Sequence, residues 1–370
     1  MKKVSKAKKT EQNKKKQTGN IKKTGIEKIR DNIQTVFEQA GFYYIPTDGY
    51  HFPVGLRTVE LDKVFVYENI VVICEDTDTA PKHEKEHART KEEAFAQIDS
   101  NLQECFDRII EKFPESKEHL TKYFIQQYKV RYLYFTVNKL EFSDSDYMLF
   151  PHITFVAPQS LEYLYQLSLC IHKSARYELF RFLNITDDDI GITTNESSRK
   201  DIRATIISPK ETTGLDTGVR IVSFMMSAAT LIKNAYVLRK DNWENHLFVY
   251  QRLMQKDKIE SIRKFLLDNH AAFYNNIIVS LPDDVQFKNS DEEIIDIDRV
   301  GQYDVCTMTV PDRMNSICVI DGQHRIFAHY EGDDTDDNEF KVETLRNQLH
   351  LLVVNMFSFK RSIKCVSKKR

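Results

Sequence analysis

Two groups of residues have the types and spacing that chemistry needs. The first is Asp321-Gly322-Gln323-His324-Arg325, which follows the apolar run 317–320 and precedes Ile326-Phe327-Ala328-His329-Tyr330. A strand that stops at Asp-Gly and passes into a helix aims backbone N–H groups and a positive helix dipole at one point, which suits an anion such as phosphate. Gly322 permits positive φ or close approach, and His324 and Arg325 add donors for phosphate oxygens. Asp321 either holds a metal ion or caps the helix. Ile259, Ile262, Phe265 and Leu266 recur at helical spacing upstream of this turn. The second is Asp62 near the start of one predicted strand and Glu75-Asp76 at the end of the next. Carboxylates brought together in this way can hold Mg²⁺, which activates water and neutralises charge in phosphodiester cleavage.

The elements that must position these groups follow from periodicity. Ile26, Ile29, Ile33, Val36 and Phe37 predict an amphipathic helix over 25–40. After the turn at Asp48-Gly49 come strands over 61–67 and 70–77, joined at Glu68-Asn69. A helix is predicted over 91–112, a strand over 130–137, and helices around Leu161–Leu169 and 174–183. Polar residues 187–189 and 193–198 mark a linker. A second unit opens with 223–229 and Leu231, read as a helix reaching 235–238, its Met225-Met226 pair assigned to a core. Strands are predicted at 277–281 and 349–354.

The 370 residues, 41% hydrophobic, suffice for two or three cored domains. The six cysteines lie scattered without a C-x-x-C pair, which predicts buried, reduced thiols rather than disulfides or a zinc site. No apolar run approaches a bilayer span and no secretory signal is visible, so a cytoplasmic protein is expected. The net charge of −2 conceals an asymmetry. Ten lysines against Glu11 give residues 1–23 a charge of +9, leaving −11 on the rest. Such an arm should be disordered, serving either as a counterion-releasing DNA contact or as a solubilising tail.

The pentapeptide Asp321–Arg325, with Tyr250-Gln251-Arg252, the helix after it, Phe273-Tyr274 and the strand at 277–281, resembles the DGQHR-domain family, which includes the DNA-phosphorothioation regulator DndB. That family is similar to the ParB/sulfiredoxin group, and the resemblance implies ATP or another nucleotide, or a phosphate, held by Asp321, Gly322, Gln323, His324 and Arg325, with Gln251 and Arg252 facing the same pocket. The helix–hairpin–helix order around Asp62 resembles the PD-(D/E)XK nuclease fold, with Asp62 and Glu75 in the metal-binding positions and Glu27 in that of the helical acid. That family expects lysine two residues after the glutamate, where this chain has Thr77; Lys82 or Lys85 would have to supply the amine.

The expectation is a mixed α/β (α+β) protein. It comprises a basic arm (1–23), a restriction-endonuclease-like domain (24–204), a ParB-like DGQHR domain (205–354) and a basic tail (355–370) short enough for the family to imply truncation. The family context implies a DNA-binding component of a DNA modification or phage-defence system. The alternatives are a Mg²⁺-dependent nuclease with Asp62, Glu75 and Lys82 at its centre, or a nucleotide hydrolase or kinase that does not act on DNA.

Overall fold

The computed structural model describes residues 24–191, 199–207, 221–238, 254–271, 273–296, 303–333 and 338–355. The basic arm, Gln251, Arg252, residues 193–198 of the polar linker, Cys365 and the tail after 355 lie outside these residues. The fold is the expected mixture of α and β, built on two large sheets.

The first sheet has the order β1-β4-β5-β6-β7, with β1 Tyr43–Ile45, β4 Lys63–Tyr67, β5 Ile70–Thr77, β6 Lys129–Thr136 and β7 Ile153–Val156. β4 and β5 form an antiparallel hairpin, turned at Glu68 with φ 50°, and β5, β6 and β7 run parallel. Every residue of β5 is buried, so its unbroken apolar run fits a strand covered on both faces. One face packs on helices α1 (Gly25–Gln39) and α4 (Pro158–Ile171) through Ile33, Phe37, Leu161 and Leu164. The other packs on α2 (Pro81–Ser100) and α3 (Leu102–Lys112) through Ala88, Phe95, Phe106 and Ile109. A small hairpin, β2 (His51–Val54) and β3 (Arg57–Glu60), precedes Asp62.

The predicted helix 91–112 is therefore two helices, the first starting at Pro81 rather than residue 91. Charged residues dominate its opening turns and hide the inward stripe, where Glu84 and Ala88 are the buried positions. Pro81 at the first helical position fits the start, because its missing N–H would have had no partner there. Glu27 does not join the acidic pair. It closes a capping box with Thr24, whose N–H donates to Glu27 Oε2 at 2.7 Å.

The second sheet has eight strands in the order β10-β14-β11-β15-β9-β8-β13-β12. They are β8 Arg199–Ile207, β9 Ile221–Ser227, β10 Ala235–Val237, β11 Ile277–Ser280, β12 Gln286–Lys288, β13 Tyr303–Pro311, β14 Ile317–Asp321 and β15 His350–Asn355. Its helices are α5 (Arg176–Phe182, chain-adjacent to the first sheet), α6 (Ala228–Asn234), α7 (Lys256–Asn269), α8 (Gln323–Phe327) and α9 (Glu339–Gln348). The helix expected from residue 223 to 238 is instead strand, helix, strand. Val222, Phe224 and Met226 alternate inward with the period of a strand, and the Ser227 hydroxyl accepts from Thr230 N–H to start the helix. Of the methionine pair, Met226 is core and Met225 is exposed.

The border expected at 204/205 falls inside β8, a strand of the second sheet. One hydrophobic cluster runs from Phe37 and Phe65 beside the first sheet to Phe224, Ile277 and Val319 in the second. Polar contacts add to it. Asp187 accepts the Met314 N–H at 2.6 Å, Asn315 Nδ2 donates to the Tyr177 carbonyl at 3.0 Å, and Ser174 Oγ accepts the Glu331 N–H at 2.9 Å. Arg176 pairs with Glu331, and His172 stacks on Tyr330. Residues 172–187 thus grip the β14–α8 segment at both ends. The five described cysteines, Cys74, Cys105, Cys170, Cys306 and Cys318, are free and buried. Among the described residues no helix is long and apolar enough to cross a membrane.

Candidate active site

The hairpin register opposes Lys63 to Cys74 and so sets Asp62 beside Glu75 at the next step. Alternation then divides the side chains. Val64 and Ile73 face the α2 side of the sheet, which directs Asp62 and Glu75 the same way, while Cys74 and Asp76 face α1. The two carboxylates are buried neighbours. Asp62 Oδ2 accepts the backbone N–H of Asp76 at 2.7 Å. Asp76 lies on the opposite face, where Lys63 and Arg30 each reach one of its oxygens at 2.5 Å. Asp76 therefore anchors the hairpin to α1 and leaves Asp62 and Glu75 as the pair available for chemistry.

A lysine does meet Glu75, but it is neither Lys82 nor Lys85: it comes from further along α2. Lys91 Nζ lies 2.5 Å from Glu75 Oε2, with a side chain only 12% exposed. Lys82 is exposed on the first turn of the helix, and Lys85 pairs with Asp146. Thr77, standing where lysine was sought, turns the chain by accepting the N–H of Thr79. His87 lies between these groups, its Nε2 3.5 Å from Glu75 Oε1 and its Nδ1 2.8 Å from the hydroxyl of Tyr134. Tyr134 is opposite Glu75 in β6 and also approaches the buried Glu84 at 3.4 Å. Glu84, His87, Ala88, Lys91 and Phe95 lie at helical spacing on one side of α2. Once the helix is known to start at Pro81, that mixed polar and apolar stripe is the sequence signal for Lys91.

Burial, and then the neighbouring Asp62 charge, push the Glu75 carboxyl up to about 8 against the pull of Lys91. Burial likewise raises Asp62, while burial and Lys91 lower His87. Two oxygen-bearing acids that resist ionising side by side fit a hard divalent cation, whose charge would favour both carboxylates. Among the described residues no group of three or more His, Cys, Asp or Glu side chains is disposed to hold a metal, and Asp62 and Glu75 offer two carboxylates only.

The second predicted site folds as strand, turn and helix, as expected. Gly322 has φ 98°, and a Cβ there would stand 3.0 Å from Ile277 Cδ1 and 3.3 Å from Ile277 Cα, so both the backbone and the neighbouring strand demand glycine. Gly322, not Asp321, is the cap of α8, and its carbonyl accepts from Arg325 and Ile326. Asp321 pairs with Arg325 at 3.0 Å, and the same guanidinium nitrogen donates to the Asn276 carbonyl at 2.8 Å. His324 Nε2 accepts the Gln255 N–H at 3.2 Å, and Gln323 is buried. The side chains expected to donate outward thus hold β11, β14 and the start of α7 together. Behind them burial pushes His329 down to about 4, and its Nδ1 lies 3.0 Å from the Arg325 carbonyl.

This junction lies within a segment with a known counterpart. Residues 211–332 match the DndB family, described as DNA-sulfur modification-associated. The DndB-like segment takes in β9, α6, β10, α7, β11, β12, β13, β14 and α8, so it covers the DGQHR turn and leaves the first sheet outside the match. No curated protein and no solved structure matches the chain.

Proposed function

We propose that this chain acts on DNA within a DNA-sulfur modification system, and that Asp62, Glu75 and Lys91 form a divalent-cation-dependent centre for phosphodiester cleavage. The DndB-like segment supports the first part. The observation that carries the second is the meeting of Lys91 with the Asp62/Glu75 pair on one covered face of the first sheet. Asp62 and Glu75 would hold Mg²⁺, which supplies charge neutralisation at the phosphate and a more acidic water. Lys91 places a point charge where a phosphate oxygen can meet it. Asp76, tied to Lys63 and Arg30, fixes the backbone N–H that orients Asp62. Tyr134 fixes His87 beside Glu75. Both carboxylates are buried, which strengthens each electrostatic contact.

The test is cleavage of duplex DNA, unmodified and phosphorothioate-modified, with Mg²⁺ and with chelator. The wild type should cut only with Mg²⁺, and Asp62→Asn, Glu75→Gln and Lys91→Met should each lose activity by at least ~100-fold. A wild type inert on both substrates, or cleavage that survives all three substitutions, refutes the assignment.

A further inference from the structure

Glu75 is closed in this structure by side chains of the chain itself. Lys91 holds Oε2 at 2.5 Å, and His87 stands 3.5 Å from Oε1. Asp62 has one oxygen on the Asp76 N–H. A cation arriving alone would have to displace Lys91 from the Glu75 carboxyl and leave that ammonium without an acceptor where it is nearly out of water. A DNA phosphate removes the difficulty, because it gives Lys91 another anion at the moment that Glu75 is released. The lysine stem carries four rotatable methylenes, so its head can change partner without moving α2. His87 stays in place, held by Tyr134 from β6.

We propose that Lys91 is a latch on the centre: the phosphodiester backbone of DNA draws its ammonium off Glu75, and the carboxylate then opens to the divalent cation. This rests on reading Asp62, Glu75 and Lys91 as the phosphodiester centre. It makes DNA and cation bind cooperatively, each strengthening the other by the same factor, and it keeps the free protein unloaded.

The experiment is calorimetric titration of the full-length chain with Ca²⁺, a non-cleaving probe of the cation site, with and without a DNA duplex. In the wild type the duplex should raise Ca²⁺ affinity by ~10-fold or more. Lys91→Met should bind Ca²⁺ at least ~10-fold tighter than wild type without DNA and gain less than ~3-fold on adding DNA. Lys91→Gln, which keeps a hydrogen-bond donor, repeats the measurement if the Met variant does not fold. Equal enhancement by DNA in wild type and variant overturns the latch, because DNA would then be supplying only its own ligands. No Ca²⁺ binding in any protein, or binding untouched by Asp62→Asn, overturns the underlying centre as well.

Discussion

Glu75 is where one side chain decides most. Its folded carboxyl keeps a proton up to about pH 8, against an ordinary value of 4.5. Between those values the unfolded chain holds fewer protons than the folded one, so stability falls as pH rises across that window. The slope reaches at most ~1.4 kcal/mol per pH unit. Glu75→Gln removes this slope, so its stability relative to wild type should climb from about pH 5 to about pH 8 in urea unfolding. A constant difference would place the charge elsewhere. Gly322 makes a second prediction at this scale. Gly322→Ala must adopt φ 98° and push against Ile277 in β11, so it should destabilise by ~1–3 kcal/mol. An unchanged denaturation midpoint would mean that the turn relaxes freely.

Between elements, the hairpin is registered by ions as well as by apolar packing. Asp76 has a fully buried side chain, and of its two partners Lys63 is 4% exposed and Arg30 40% exposed. Asp76→Ala strands Lys63 as a buried unpaired charge and should cost ~3–5 kcal/mol. Arg30→Ala leaves Lys63 to neutralise Asp76 and should cost only ~1 kcal/mol. Equal losses in the two variants would show that the pair with α1, not the buried pair, holds β5. At this scale the sequence was legible where one period dominated. Periodicity predicts strand β5 over its full extent and α1 to within a residue, because one opens with an unbroken apolar run and the other is regularly striped. The start of helix α2 is hidden because its opening turns are charged on most sides, and the position of Lys91 is hidden with it.

The whole molecule behaves as more than two units in series. The cluster that passes from Phe65 to Phe224 leaves no solvated boundary between the two sheets there, and residues 172–187 hold both ends of the β14–α8 segment. Far- and near-UV circular dichroism should therefore report one coincident unfolding transition. Arg176→Ala, which removes the pair with Glu331 and the contact of its guanidinium with Tyr67, should lower the midpoint without splitting that transition. Two separate transitions in the wild type would show that the shared cluster does not couple the sheets.

Sequence by itself determined the α/β class, the β4–β5 hairpin with its acids, and the glycine turn after β14, because periodicity and turn chemistry act over a few residues. Tertiary structure alone decided the partners. Sequence order does not say that Lys91 rather than Lys82 meets Glu75, since that depends on where α2 begins and which side it lays on the sheet. Nor does it say that Asp321 and Arg325 close on each other and on Asn276, because the carbonyl that holds the guanidinium comes from the residue just before β11, a strand brought alongside only by sheet pairing.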